Sequence, residues 1–291
     1  MYELKRVGGH TYYIAAPTNV GVYEYGGRCC LIDAGGDSGF ADAALKIIAE
    51  RGWELEKVFC THSHADHTGG CHTLRERTGC EIYAPGVCAA VVRHSFLQPV
   101  TLFGGYPTRE MRSKFVMARA CECNELTEDA LPEGLEFVHI DGHDFEQAAF
   151  GTADGVWFTA DGAVDEGVIE RYRISFLYDV GEHLKSLEKL KTLEGRLFIP
   201  SHSEPLNDMA GLADANIRSV YGVAETIKGF LKEPLTIDGL LEKLFAEFGI
   251  KLYLMQYELV GATTRSYLSW LKENGEVACI FEGSKLLWKS T

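Results

Sequence analysis

His62, His64, Asp66 and His67 stand within six residues, directly behind the apolar run Val58-Phe59-Cys60 and just ahead of Gly69-Gly70. Left unpaired, so many polar side chains beside a strand would be costly to bury; around a cation they form an ordinary ligand set. His62 and His64 lie two apart in an extended segment and point together toward one ion. Asp66 and His67 lie where the chain turns into a helix and face a second.

Three more metal-capable side chains follow apolar, strand-like runs: His143 after 136–140, Asp161 after 156–160 and His202 after 197–200. Ligands from distant parts of a chain converge when strand ends share one sheet edge, where α/β folds place their sites. Adding His143 to the first ion and His202 to the second leaves Asp161 as the oxygen bridge between them. A nitrogen and oxygen shell without thiolate suits two zinc ions, with manganese or iron open. Two cations so held would carry a hydroxide deprotonated near neutral pH and polarise the bond it attacks, so Asp66 and Asp161 count as catalytic carboxylates as well as ligands. Asp33, at a strand end ahead of Gly35-Gly36, is the candidate to receive the free ring N–H of a ligand histidine. His183 and His94 are weaker candidates for carrying protons, and Cys121 and Cys123 lack a matching thiol pair elsewhere.

The elements that must position these groups are legible as alternating patterns. Short strands are expected at 12–14, 20–25, 29–32, 58–60 and 82–84, with Gly26-Gly27 as a hairpin turn. Helical periodicity covers 40–50 and 69–78. Strands resume at 136–140, 148–152, 156–160 and 197–200, the last preceded by a helix with Leu184, Leu187, Leu190 and Leu193 on one face. Residues 94–125 break the rhythm and read as a lid or substrate loop without regular structure, in which Tyr106 and Arg109 are candidate substrate contacts. A long helix is expected over 210–231. The tail reads as a helix over 236–248 capped by Thr236, a short element at 252–257, a helix over 263–274 and a hairpin.

On its loop of His62, His64, Asp66 and His67, the chain resembles the metallo-β-lactamase superfamily. The resemblance carries the later ligands onto His143, Asp161 and His202, and extends to Thr18-Asn19-Val20 and Leu31-Ile32-Asp33-Ala34-Gly35. It implies a four-layer αββα sandwich over about residues 10–230 with a metal site at one edge. Gly142-His143 continues as Asp144-Phe145-Glu146 where many members have threonine-proline-glycine, and the 94–125 insertion is a second departure. The tail resembles a winged-helix unit, which divides the chain into a catalytic domain at 1–231 and a small domain at 232–291. The function expected on these grounds is that of a dinuclear metal-dependent hydrolase for a thioester or other small acyl substrate. Phosphodiester cleavage, iron-dependent oxidation and a DNA-associated regulatory role are the alternatives.

The net charge of -14 disfavours binding to nucleic acid or anionic membrane. Within 232–291 seven Lys or Arg face eight Asp or Glu, so packing or homodimerisation is the expected role of the tail. Nine cysteines, an odd number without zinc-finger spacing, are expected to be reduced thiols of a cytoplasmic protein. Neither an export signal nor a membrane span is expected.

Overall fold

Alternate residues along each strand face two different cores, and that period of two builds the layers. The computed structural model describes residues 2–291. Its first sheet runs in the order β1 (Glu3–Arg6), β2 (Thr11–Ala15), β3 (Val20–Tyr25), β4 (Arg28–Ile32), β5 (Glu54–Phe59), β6 (Glu81–Ala84), β7 (Asn124–Glu125). Pairing is antiparallel from β1 to β4 and parallel from β4 to β7. The second sheet holds β8 (Leu135–His139), β9 (Ala148–Thr152), β10 (Val156–Ala160) and β11 (Leu197–Pro200), in the order β11-β10-β9-β8. In β4, Cys29 and Leu31 face the outer core, where α1 (Ser38–Glu50), α2 (Ala65–Thr68), α3 (Cys71–Thr78) and α4 (Gly86–Arg93) follow the strands. Cys30 and Ile32 face inward, with Phe59, onto Phe150, Phe158 and Ile199 of the second sheet. The far side of that sheet, through Trp157 and Phe198, packs on Leu187, Leu190 and Ala213. The result is a four-layer αββα sandwich.

Within the insertion lie α5 (Leu97–Phe103) and the two-residue β7, which corrects the expectation of a segment without regular structure. After β10 come α6 (Glu166–Tyr172) and α7 (Val180–Thr192), and after β11 come α8 (Ala210–Phe230), α9 (Ile237–Phe248) and α10 (Leu254–Glu273). Thr236 caps α9, its Oγ1 accepting from Gly239 N at 3.2 Å. The elements expected at 252–257 and 263–274 are one helix of 20 residues. Its buried stripe of Val260, Thr264, Tyr267, Leu268 and Leu271 has helical spacing, so Gly261 does not interrupt it.

The hairpin β12 (Val277–Glu282) and β13 (Lys285–Ser290) follows, and Leu235 pairs with Trp288 to extend it by one bridge. This tail shares one hydrophobic core with the α7–α8 region, joining Val180, Val223 and Ile227 to Leu240, Leu244 and Leu268. Among the described residues no helix is long and apolar enough to cross a membrane.

Candidate metal centre

Strand direction brings the candidate ligands to one edge. β9 is antiparallel to both its neighbours, so β8, β10 and the parallel β11 all run the same way, as do β4 and β5. Asp33, the 62–67 loop, His143, Asp161 and His202 all follow the C-terminal ends of those strands. A register shift between Phe158 and Ala160, with Ala160 at φ 50°, ends β10 irregularly just before Asp161. Gly70 lets the histidine-rich loop lie against the loop after β4: a Cβ there would stand 2.2 Å from Ala34 O.

Two clusters of ligand atoms result. His64 Nδ1 is 2.9 Å from His62 Nε2 and 3.0 Å from His143 Nε2. A single proton on His64 Nδ1 can serve one of those neighbours, whereas a cation would serve all three. Tetrahedral zinc with Zn–N of about 2.0–2.1 Å sets its ligand nitrogens about 3.3 Å apart, close to this spacing. In the second cluster His202 Nε2 lies 3.2 Å from Asp66 Oδ2 and 3.4 Å from Asp161 Oδ2, and His67 Nε2 lies 3.6 Å from Asp66 Oδ2. Asp161 Oδ2 is also 3.5 Å from His143 Nε2 and Asp161 Oδ1 3.5 Å from His67 Nε2, which sets this carboxylate between the clusters. His67 Nε2 and Asp161 Oδ1 are buried without a hydrogen-bond partner. Orphaned polar atoms facing one another across a buried site are the environment a cation satisfies.

Charge is unevenly spread across the clusters. Asp161, against the opposing effect of burial, raises His202 to about 11. Burial works against a charge on His67 too, but Asp33, Asp161 and Asp66 outweigh it and hold its imidazole well above the ordinary value. Burial and the neighbouring imidazoles push His62 well below the ordinary value, and burial with His64 takes His143 to about 4. Burial raises and His202 with His67 lower Asp161, which ends well below the usual carboxylate range. In the first cluster His62 and His143 thus offer neutral nitrogens, and the second offers carboxylates whose protons sit on histidines.

A ring of supporting groups fixes the ligands. Asp33, buried, accepts from His67 Nδ1 at 2.7 Å, from Thr61 N at 2.7 Å and from Thr61 Oγ1 at 3.0 Å. With one proton held on Nδ1, Nε2 is the nitrogen that would meet a cation once His67 gives up its second proton. His202 Nδ1 donates to Pro17 O at 2.8 Å, and Asn19 Nδ2 holds the same loop through Pro200 O and Ser203 O, both at 2.9 Å. Asp144, in the stretch after His143 that departs from the family pattern, is buried and accepts from Ser63 N at 2.9 Å and from Ser63 Oγ, tying the two ligand loops together. Gly142, at φ 109°, leaves room for α7, since a Cβ there would stand 2.2 Å from His183 N.

The centre opens into a cavity of about 530 Å³ lined by His64, Asp66, His143, Asp161 and His202. His183 also lines it, buried, its Nδ1 without a partner and its pKa lowered to about 3 by burial and His143. The candidates Tyr106 and Arg109 are not brought to it. Tyr106 is 75% exposed and stacks with Arg112, Arg109 is exposed, and the insertion contributes Gln98, Leu102, Phe115 and Val116 instead. Sequence reasoning missed Asp144, Asn19 and the cavity wall from α10; the non-family residues after His143 were the signal available for the first.

Comparison with known proteins bears on this arrangement. The family model described as Metallo-beta-lactamase superfamily matches residues 14–202. A hydroxyacylglutathione hydrolase of Albidiferax ferrireducens is 41% identical over 49 residues, which is 17% of this chain and 19% of that protein. Another, of Pseudomonas entomophila, is 36% identical over 58 residues, 20% of this chain and 21% of that protein. The chain thus spans about a fifth of the length of these curated relatives. A beta-lactamase domain protein from Burkholderia ambifaria has the same fold at a TM-score of 0.75 and 18% identity, over 99% of this chain and 94% of its own. A metallo-beta-lactamase family protein from Thermus thermophilus has a TM-score of 0.70 at 18% identity, over 100% of this chain and 98% of its own. The VMB-1 structure, at 0.58 and 13%, covers 77% of this chain and 98% of its own.

Proposed function

The chain belongs to the metallo-beta-lactamase superfamily and is a hydrolase of that kind, and from that premise we propose that it is a dinuclear enzyme acting on a thioester or other small acyl substrate. The observation that carries this reading is the pair of nitrogen and oxygen clusters meeting at Asp161 beneath one cavity. His62, His64 and His143 would hold one cation, Asp66, His67 and His202 the other, and Asp161 would reach both, with zinc the metal their chemistry suits best. Bound there, the metals would supply a water made nucleophilic near neutral pH and a Lewis acid against the substrate carbonyl.

The chain's own residues do the rest. Asp33 and the carbonyl of Pro17 fix the tautomers of His67 and His202. Asp66 and Asp161, which line the cavity, would be the carboxylates that take up a proton as the acyl carbon is attacked. Phe176 stands edge-on to His64 and His143 and gives the centre an apolar flank.

A thioester is favoured by the local likeness to hydroxyacylglutathione hydrolases, and a phosphodiester is disfavoured by the chain's negative charge. We assign the elements beyond residue 231 a winged-helix-like unit whose role is packing against the catalytic domain and not DNA binding. The nine thiols, none in a disulfide, suit a cytoplasmic protein. A screen of the zinc-loaded protein across thioester, lactone, β-lactam and phosphodiester substrates tests the reading. Thioester turnover that falls with Asp161→Ala is expected; a phosphodiester as the preferred substrate would overturn it.

A further inference from the structure

Two walls of the cavity come from outside the sandwich. Leu102 and Val116 of the insertion line it, and so do Met255 and Leu259 of α10. These four side chains belong with Phe176 to one small hydrophobic core. Phe176 in turn meets the ligand histidines, with ring centroids 5.4 Å from His64 and 6.1 Å from His143. Apolar surface therefore leads from the imidazoles to the C-terminal helix. Met255 and Leu259 are half-buried, so each keeps surface to offer a ligand.

The polar side chains on the lining include Arg171, Ser175 and His183, and none belongs to the apolar wall that runs from Phe176 to α10. Asn216 is spent on the backbone of Val164 and Leu212, and Gln98 and Gln256 each accept a hydroxyl, from Ser63 and Tyr253. Laid on the wall of Leu102, Val116, Phe176, Met255 and Leu259, a polar acyl group would lose water without gaining a hydrogen bond, whereas a hydrocarbon chain loses nothing. The volume of about 530 Å³ is also more than a two-carbon acyl group fills.

Resting on the acyl-hydrolase reading above, we propose that the substrate is a thioester whose acyl part is a hydrocarbon chain of several carbons, lying along Phe176, Val116, Met255 and Leu259, so that α10 sets chain-length specificity. The reaction is plain hydrolysis: water adds to the acyl carbon, the C–S bond breaks, and the products are a carboxylic acid and a thiol that takes up the proton. No further reactant is needed. The tail thereby acquires a part in substrate selection, beyond packing.

The test is a series of acetyl, butyryl, hexanoyl and octanoyl thioesters of one thiol, read as kcat/KM with the zinc-loaded full chain. Calorimetric binding of acetate, butyrate, hexanoate and octanoate, with and without zinc, accompanies it. Each methylene should raise kcat/KM and carboxylate affinity by about fourfold, the Boltzmann factor for burying one CH2, until the cavity is full. Leu259→Gln and, separately, Met255→Gln should flatten that slope; two half-buried positions guard against one variant failing to fold. Flat profiles in both assays with the unsubstituted chain would overturn the proposal even if all four thioesters are cleaved. If none is cleaved yet octanoate binds far more tightly than acetate and Leu259→Gln abolishes the difference, the apolar subsite stands and the thioester reading fails.

Discussion

Replacing Asp33 by asparagine changes one oxygen to an NH2 group in a site with no room to reorganise. The carboxylate takes three hydrogen bonds, at 2.7 Å from His67 Nδ1, 2.7 Å from Thr61 N and 3.0 Å from Thr61 Oγ1. An asparagine that keeps its oxygen toward Thr61 N–H turns its NH2 on His67 Nδ1. The imidazole must then carry its proton on Nε2, the atom placed to hold the second cation. The opposite amide rotamer sets NH2 against the Thr61 N–H, a buried donor facing a donor, at about 1–3 kcal/mol. Either way the second ion loses its best-oriented nitrogen. Losing such a supporting group weakens metal affinity about 10–100-fold, or roughly 1.4–2.7 kcal/mol. The assay is zinc titration against a competing chelator, with the first equivalent as internal reference, because His62, His64 and His143 do not bond directly to Asp33. A second equivalent that binds Asp33→Asn as tightly as the unsubstituted chain would refute the reasoning.

Metal uptake at the second cluster should release protons, because Asp161 holds His202 protonated up to about 11 and carboxylates hold His67 protonated well above its ordinary value. Affinity there should rise with pH between 6 and 8, by up to about tenfold per unit for each proton displaced, and calorimetry in buffers of different ionisation heat should count roughly one to two. Alanine at Asp66 or His202 should weaken the second ion selectively, and elemental analysis would show one zinc retained where the unsubstituted chain keeps two. Gly142→Ala should lower the melting temperature, since φ 109° and a Cβ 2.2 Å from His183 N leave no position for the methyl without moving the His143 loop. Phe150→Ala, which removes a fully buried ring 5.8 Å from Phe59 between the sheets, should cost about 3–5 kcal/mol by denaturant unfolding while leaving the ligand atoms in place.

The site was legible in the sequence where chemistry lies next to a strand signal. His62, His64, Asp66 and His67 lie within six residues, and Asp161 and His202 follow β10 and β11, whose limits of Val156–Ala160 and Leu197–Pro200 are those expected from the apolar runs. Roles that depend on packing were hidden. Asp144 reaches back 81 positions to Ser63, and no local pattern encodes that distance. The helix α5 was masked because Pro99, Val100 and Thr101 weaken its propensity and only part of it is buried against the rest of the fold. The gap expected between 257 and 263 is helical in α10, where Val260 packs into the core shared with α7, α8 and α9. Tyr106 and Arg109 carry no packing signal in the sequence, and the insertion folds so that Gln98, Leu102, Phe115 and Val116, not these two, line the cavity.

Anomalous diffraction at the zinc edge from crystals of the zinc-loaded protein tests the seven-ligand arrangement most directly. Two peaks are predicted, one among His62, His64 and His143 and one among Asp66, His67 and His202, with Asp161 within about 2.0–2.2 Å of both. A single peak, or a pair that leaves Asp161 and His202 uncoordinated, would contradict the account.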